Sequence, residues 1–360
     1  MKSLMKNLSD KDIMAILNVL NFNQFYWPTL FPLRFTSSLT WKTLQADSGV
    51  PVAADVISFN ASSPRKTRQT VGKAQGDIPK ISIGRDKSET DLNDYNQLLQ
   101  WANTTEGAQA LVKYVFDDVE FCYMGVAARL EWLALRALST GKVSLDSSNN
   151  GGVVTEVAVD FLVPSAQKKG VTTVWSTANK ATCTPISDIR TIVGLAKKKG
   201  LLLSYMLMNQ DTFDVFSNAD EVVKFAAAWV LQATSLTQKP SLESVNASLR
   251  ESKLPEIRII ESYVTLETPA GVQSTVNPWE TGAVTFIPSL VAGNTFHAPL
   301  ADESITSDAI KVKRGPTLIK KYAIEEPLTE CTIGMANAFP AWGSAQRSYM
   351  LDTLHSTFTF

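Results

Sequence analysis

A long helical stripe in the middle of the chain constrains the fold more than any other feature. Apolar residues recur there at steps of three or four, as they do along one face of an amphipathic helix. They lie at Leu111, Val115, Val119, Cys122, Val126, Leu130, Leu133 and Ala137. The stripe predicts one helix of about thirty residues, roughly 45–50 Å long, which exceeds the usual length of a globular helix. Aromatic residues off the stripe favour packing on more than one side: Tyr114, Phe116, Tyr123 and Trp132.

The segment of residues 63–80 is basic and poor in apolar residues, although the whole chain is almost neutral. Its cations are Arg65, Lys66, Arg68, Lys73 and Lys80, against Asp77 alone. The chain has 34 Lys and Arg against 35 Asp and Glu, so its overall charge does not indicate a nucleic-acid binder. Strand candidates at 52–59 and 78–83 flank the segment and predict a long two-stranded excursion. Because an isolated hairpin is marginally stable, this excursion is either a mobile loop or is held by a partner.

The N-terminal region combines a short helix with an aromatic arm. Residues 9–20 predict an amphipathic helix that Ser9 or Asp10 can cap. Residues 21–41 carry many aromatic rings around Pro28 and Pro32, without a helical or strand period. Such an arm cannot bury itself as one element, so its rings must dock on the chain's own core or on a neighbouring subunit. The sequence leaves both alternatives open.

The second half of the chain predicts a compact α/β unit. A helix at 91–103 precedes the long helix, and strands at 142–145 and 153–163 form a hairpin after it. The later elements are a helix that Ser187 caps and Gly200 ends, a buried strand at 201–208, helices at 209–216 and 219–232, and strands at 257–266 and 283–287. The tail, residues 330–356, has mixed strand and loop character.

The cysteines and the N-terminus favour a reducing compartment. Cys122, Cys183 and Cys331 form no CxxC pair, and their odd number argues against a disulfide framework or a zinc site. Asp10, Lys11 and Asp12 interrupt the N-terminal apolar run, which is atypical of a signal peptide. No stretch approaches the eighteen or so apolar residues that a membrane span requires.

The sequence contains no recognisable catalytic motif. His297 and His355 have no acid or cysteine at a motif spacing, and no nucleophile elbow, phosphate loop or metalloprotease motif occurs. We therefore expect no catalytic residue, no cofactor and no metal site. Asp117, Asp118 and Glu120 could in principle bind a cation, but a solvated or subunit-facing side of the long helix is favoured. Arg129, Glu131 and Arg136 are expected to be local partners on this helix.

The order of these parts resembles the Hong Kong 97-type capsid fold, and the residues are similar to the lambda-type phage major capsid protein E family. The resemblance lies in VPVAADVISF leading into SPRKTRQTVGKAQGDIPKISIGRDKSETDLNDY, in ALSTGKVSL with VTEVAVDF after it, in TPISDIRTIVGLAKKKG before MNQDTF, and in ECTIGMANAFPAWGS. The aromatic extension departs from the family pattern.

The resemblance implies an α+β fold with an N-terminal arm, an extended loop, a long spine helix, a peripheral domain and an axial domain. The implied segments are an N-terminal arm (1–50), an extended loop (51–90), a peripheral domain with the spine helix and a β-hairpin (91–184), an axial α/β domain (185–325) and a C-terminal segment that returns to the peripheral region (326–360).

The resemblance also implies a function. The chain would be the major capsid protein of a tailed bacteriophage, self-assembling through hexamers and pentamers into an icosahedral shell around double-stranded DNA. Scaffold, portal and decoration proteins are implied partners, whereas sequence-specific DNA binding, membrane association and enzymatic activity are not. The shell would be assembled in the host bacterial cytoplasm and form the virion capsid.

In this interpretation, the basic segment is the tip of an extended loop that lies across a neighbouring subunit. Arg65, Lys66, Arg68 and Lys73 would contact acidic residues there, with Asp117, Asp118 and Glu120 as candidate acceptors. The alternative for these cations is nucleic-acid contact, which the lack of interleaved aromatic residues disfavours. Lys66, Lys73 or Lys80 could form a covalent crosslink, but lambda-type shells usually rely on decoration proteins instead.

Two alternative functions remain, one within the same fold and one from another class of protein. An encapsulin, which is a bacterial compartment loaded with an enzyme, has the same fold, but the long loop and arm fit a phage shell better. A cytoplasmic enzyme with an unrecognised site is the other alternative.

Overall fold

The computed structural model describes residues 3–5, 8–45, 72–151, 157–227, 239–268 and 270–360. The chain folds into two compact units, each built from several segments of sequence. Unit 1 comprises Met1–Trp41, Gly76–Ala134 and Asn294–Ala341. Unit 2 comprises Lys42–Gln75, Leu135–Gly293 and Trp342–Phe360.

The helices in the described part of the chain are α1 (Asp10–Val19), α2 (Trp27–Leu30), α3 (Glu89–Trp101), α4 (Thr105–Thr140), α5 (Pro185–Lys198), α6 (Gln210–Asn218), α7 (Asp220–Ala226), α8 (Leu242–Glu251) and α9 (Ala301–Ser304).

The strands in the same ranges are β1 (Leu33–Phe35), β2 (Thr40–Gln45), β3 (Gly72–Asp77), β4 (Lys80–Lys87), β5 (Lys142–Leu145), β6 (Val157–Asp160), β7 (Lys168–Gly170), β8 (Tyr205–Met208), β9 (Glu256–Ile259), β10 (Val264–Glu267), β11 (Gln273–Val276), β12 (Ala283–Ile287), β13 (Asn294–Ala298), β14 (Ile310–Arg314), β15 (Thr317–Glu325), β16 (Leu328–Ala341) and β17 (Tyr349–Asp352).

The predicted long helix is confirmed as α4, which has 36 residues. Its stripe residues Val119, Cys122 and Val126 are fully buried, as the three-four spacing requires. Helix α1 is also confirmed, and Ser9 and Asp12 form a capping box at its start. Local sequence therefore determines where these helices begin and which face they bury.

In unit 1, β16 is the central strand of the sheet. The strand order is β1-β13-β16-β15-β14, and β4 also pairs with β16. Strands β4, β13 and β15 are antiparallel to β16, whereas β1 is parallel to β13. A Cβ atom on Gly334 of β16 would lie 2.6 Å from the backbone oxygen of Cys122 on α4. Only glycine therefore allows the helix to lie this close to the sheet.

In unit 2, the sheet order is β7-β17-β12-β8-β9, with β12 antiparallel to β8 and β17, and with β9 parallel to β8. Helices α5 to α8 contribute buried side chains to the core on this sheet. These include Ile189, Phe216, Val222 and Leu249, which pack in one cluster with Met206 and Phe286 of the strands. Two hairpins, β5–β6 and β10–β11, belong to the same unit.

Two expectations about local structure differ from the structure, and a third is tested only in part. Helix α5 begins at Pro185 rather than after Ser187, because proline at the first helical position has a backbone angle already suited to a helix. The predicted strand at 257–266 is two strands, β9 and β10, in different sheets. Strand β4 pairs with β16 and β3 pairs with β2, whereas the candidate strand at 52–59 lies outside the described residues.

The chain also returns to unit 1 earlier than the segment boundary at 325 implies. Strands β13, β14 and β15 precede that boundary but belong to the sheet of unit 1. The reason is their pairing: β13 and β15 both form ladders with β16, and β14 pairs with β15. The five-segment division itself stays a prediction.

Candidate assembly surfaces

Strand β4 and helix α4 are joined by ion pairs within unit 1. Arg85 Nη1 lies 2.8 Å from Asp117 Oδ2 and 3.8 Å from Asp118 Oδ1. The Arg85 guanidinium also lies over the ring of Phe121, 3.9 Å from its centroid. Lys87 pairs with Asp118, and both side chains are buried. Two of the three predicted acceptors thus have cationic partners in the same chain.

The predicted site residues therefore fall into three groups. Arg65, Lys66 and Arg68 lie outside the described residues, and Lys73 lies in β3 with only its backbone described. Asp118 is buried, whereas the side chain of Asp117 is 57% exposed even though it pairs with Arg85. Glu120 is exposed on the same helix. Glu120 and Asp117 are thus accessible to solvent, whereas Asp118 is held in its buried pair with Lys87.

A second buried ion pair lies in the same unit. Lys321 Nζ is 3.6 Å from Glu330 Oε1 and donates a hydrogen bond of 3.0 Å to Thr332 Oγ1. Glu330 also accepts hydrogen bonds from the Ser3 hydroxyl and, at 2.8 Å, from the backbone N–H of Leu4. Burial lowers the pKa of Lys321, and the carboxylates of Glu330 and Asp118 oppose that shift. The pair thereby connects the first described residues to the central sheet.

Tyr114 lies beside the buried pair of Lys87 and Asp118. The Nζ atom of Lys87 is 4.7 Å from the centroid of the Tyr114 ring. Its hydroxyl donates to the backbone oxygen of Asp91 at 2.7 Å. Burial raises the pKa of Tyr114 to about 12, with Asp91, Asp94 and Asp118 contributing. The phenol is therefore a neutral hydrogen-bond donor at physiological pH.

The aromatic arm docks largely on its own chain. Trp27, Phe31 and Trp41 are fully buried, and the ring of Phe22 stacks on Tyr123 of α4 at 5.2 Å between centroids. In contrast, Leu33, Phe35 and Leu39 are large apolar side chains that stay exposed. Most of the arm therefore docks on the chain's own core, as in the first alternative that the sequence leaves open. The part around the edge strand β1 remains exposed.

Glu131 of α4 attaches this arm, a role that the sequence interpretation missed. Its side chain is fully buried and accepts hydrogen bonds from the backbone N–H groups of Tyr26, at 3.1 Å, and of Trp27, at 2.8 Å. A carboxylate in this position stabilises the start of α2. Arg136, expected to be a helical partner, instead pairs with Glu280 in unit 2. The sequence does contain one indication of this role, because Glu131 is an acidic residue within an otherwise largely apolar stretch of the helix.

The surroundings of His297 predict a pH-dependent contribution to the stability of unit 1. His297 lies on β13 opposite Phe35 of β1, with ring centroids 5.6 Å apart, and its buried Nδ1 has no hydrogen-bond partner among the described residues. Burial lowers the pKa of His297, the charge of Lys313 lowers it further, and Glu303 opposes the shift. Because the unfolded chain then binds this proton more readily than the folded chain, stability is lost as pH falls below about 6.5.

We therefore expect the urea midpoint of the chain to decrease between pH 7.5 and pH 5, and the His297→Phe variant to show a smaller decrease. The measurement is urea unfolding of both proteins at the two pH values. An equal decrease in the parent and in the variant would show that other groups cause the pH dependence.

Within the described ranges, no group of three or more His, Cys, Asp or Glu residues is arranged to hold a metal ion. In those ranges, no helix combines the length and the apolar character that crossing a bilayer demands.

The comparisons with known proteins are consistent with each other. A model of the family described as phage major capsid protein E matches residues 11–330. No curated protein sequence matches the chain. Among solved structures, a protein described as a prophage capsid protein of E. coli CFT073 is similar, with a TM-score of 0.58 at 13% identity, covering 96% of this chain and 99% of that one. A phage-related protein from Bordetella bronchiseptica RB50 has a TM-score of 0.50 at 10% identity, covering 97% and 98%.

The structural likeness, at these low identities, concerns the fold, which is the Hong Kong 97-type capsid fold that the order of elements predicted. The family match is independent of it and extends over most of the sequence. The chain therefore belongs to the phage major capsid protein E family and is a phage major capsid protein.

Proposed function

We propose that copies of this chain assemble into a closed icosahedral shell around a double-stranded DNA genome, and that the basic loop of each copy binds the acidic face of α4 on a neighbour. The observation that carries the proposal is the exposure of Glu120 and Asp117 on the part of α4 where Asp118, between them in sequence, is neutralised internally by Lys87. The three carboxylates of this face have two cationic partners, Arg85 and Lys87, so the face keeps an excess of negative charge, opposite in sign to the loop residues Arg65, Lys66 and Arg68.

The exposed apolar residues of the arm also support contacts between copies. Phe35 and Leu39 are 61% and 56% exposed, and β1, which precedes Leu39, is at an edge of its sheet. An edge strand with large exposed apolar side chains is a surface that proteins usually cover. In a shell, a neighbouring copy can provide that cover.

Reversing the loop charges is expected to prevent shell formation. In R65E/K66E/R68E, the loop and the acidic face of α4 would carry the same charge, and like charges across an interface cost several kcal/mol. Negative-stain electron microscopy after size-exclusion chromatography should show shells or capsomer rings for the parent and unassembled, folded protein for the variant. The neutral variant R65Q/K66Q/R68Q should be intermediate, and normal shells from the Glu variant would contradict the loop contact.

Beyond the shell itself, we propose hexamers and pentamers as its building units, and scaffold, portal and decoration proteins as its partners. We further propose assembly in the host bacterial cytoplasm and a structural role without catalysis. The family membership supports these assignments, and it favours a phage shell over an encapsulin because the matching family consists of phage capsid proteins.

A further inference from the structure

The turn of the β5–β6 hairpin contains the only asparagine of the chain that is followed by glycine, Asn150–Gly151. The turn starts at Asp146, directly after β5, and both Asn150 and Gly151 are partly accessible to solvent. Glycine has no Cβ atom, so a group that approaches its backbone nitrogen meets little steric hindrance. This dipeptide is therefore the place where the backbone can most easily react with the side chain of a preceding asparagine.

The backbone hydrogen bonds of this turn favour the Gly151 nitrogen as the attacking group. The N–H groups of Asn149 and Asn150 both donate to the backbone oxygen of Asp146, at 3.3 Å and 2.8 Å. The next N–H group, that of Gly151, donates to no residue in the described ranges. An attack by the Gly151 nitrogen on Asn150 therefore breaks no hydrogen bond between described residues. The corresponding attack by the Asn150 nitrogen on Asn149 would break one.

The two asparagine side chains of the turn differ in the same sense. The amide of Asn149 is held at both of its ends: its Oδ1 accepts from the Asp146 N–H at 3.2 Å, and its Nδ2 donates to the backbone oxygen of Ser144 at 3.1 Å. The side chain of Asn150 makes no hydrogen bond with a described residue. The carbonyl carbon of Asn150 can therefore rotate towards the next backbone nitrogen, whereas that of Asn149 would first have to break its hydrogen bonds.

We infer that Asn150 is a site of spontaneous deamidation, a modification that converts its neutral amide into a carboxylate. A base in the solvent removes the Gly151 N–H proton, and the nitrogen then forms a bond to Cγ of Asn150. The side-chain nitrogen takes up a proton and leaves as ammonia, which gives a cyclic imide. Water opens this ring at either carbonyl carbon, and the products are aspartate and isoaspartate. The net reaction consumes one water and releases one ammonia.

The products change the turn in two ways. Either product adds a negative charge close to Asp146, whose pKa is held below its usual value by hydrogen bonds from Ser148, so that Asp146 is itself charged at neutral pH. Isoaspartate also carries the main chain through the side-chain methylene, which lengthens the connection between β5 and β6. Because these strands pair through only four residues each, a longer connection should loosen the hairpin. The inference concerns the single chain and does not depend on the proposed shell function.

The test follows residue 150 in the purified, folded chain during incubation at pH 6 and at pH 9. Trypsin releases residues 143–168, in which Asn149 and Asn150 are the only asparagines. Mass spectrometry with fragmentation then locates the exchange of the amide for a carboxyl group, and chromatography separates the aspartate product from the isoaspartate product. The parent unfolded in urea gives the rate without the fold. G151A and N150Q alter the reacting pair, and N149Q is the matched control in the same turn.

We expect the folded parent to convert at Asn150 with time, and faster at pH 9 than at pH 6, because the attacking nitrogen must lose its proton. G151A should react at least about tenfold more slowly, since the added Cβ atom hinders the approach of the nitrogen. N150Q should lose the conversion, whereas N149Q should retain it. Absence of conversion in the folded parent would overturn the inference, and conversion in urea alone would identify protection by the fold as the reason. Conversion at Asn149 instead of Asn150 would overturn it as well. None of these readouts requires assembly, so a failure of the proposed shell function would leave them unchanged.

Discussion

Replacing Lys321 by methionine is expected to lower the free energy of unfolding by about 3–5 kcal/mol, because it leaves a buried carboxylate without its cation. The Lys321 and Glu330 side chains are both fully buried, with Nζ and Oε1 3.6 Å apart. After the substitution, Glu330 would keep hydrogen bonds from the neutral hydroxyl of Ser3 and the backbone N–H of Leu4. Urea unfolding of the unassembled chain measures the loss, and hydrogen exchange along β15 and β16 locates it.

Two further variants separate charge burial from other effects of K321M. Lys320→Met removes the neighbouring lysine, whose partner Asp302 is partly exposed, and should cost at most about 1 kcal/mol. The double variant K321M/E330L removes both partners of the buried pair and should recover most of the loss, since apolar replacement of a whole buried pair is often neutral. In that variant the amide of Leu4 should exchange faster, because its acceptor is gone. Parent-like stability of K321M alone would refute the account.

The parts of the fold that the sequence predicts are those set by short-range patterns. Helix α4 follows from the spacing of eight apolar residues, and α1 follows from its apolar spacing together with a capping serine. Strand β12 occupies the predicted positions because its five residues form a buried apolar run that is bounded by turn residues. Each of these signals lies within one element, so no knowledge of distant contacts is needed.

The parts that the sequence does not predict depend on contacts between distant residues. The sequence of the 14-residue strand β16 predicts mixed strand and loop, because the regularity of this strand comes from pairing with β4, β13 and β15 rather than from its own pattern. Residues 257–266 read as one strand because an apolar run does not show that β10 leaves the sheet of β9 to pair with β11. The ladder partners, which are far apart in the chain, decide both cases.

The same limitation applies to the candidate assembly surface. The sequence places Asp117, Asp118 and Glu120 together on α4, but it cannot distinguish the carboxylate that is buried from the two that are exposed. That distinction follows from Lys87, 31 residues before Asp118 in sequence. The helical repeat determines which face of α4 each residue occupies. The net charge of that face also depends on the cations of the neighbouring strand β4 that pair with its carboxylates.

Replacing Glu131 by leucine is expected to detach the aromatic arm, at a cost of about 2–6 kcal/mol, because it removes the acceptor of two backbone N–H groups and each stranded donor costs about 1–3 kcal/mol. Those donors belong to Tyr26 and Trp27, at the start of α2, and the carboxylate is fully buried. Leucine has a similar size, so the loss would reflect the hydrogen bonds rather than a cavity.

Glutamine at the same position separates charge from hydrogen bonding, because its amide oxygen can still accept one of these bonds. E131Q should therefore lose less stability than E131L, and hydrogen exchange should show a faster Trp27 amide in E131L than in E131Q. If E131L kept the parent's exchange rates at Tyr26 and Trp27, the arm would be held by packing of its rings alone. The expected result would instead show that one buried carboxylate of the long helix attaches the arm. Helix α4 would then position both the arm and the acidic face that a neighbouring copy is proposed to bind.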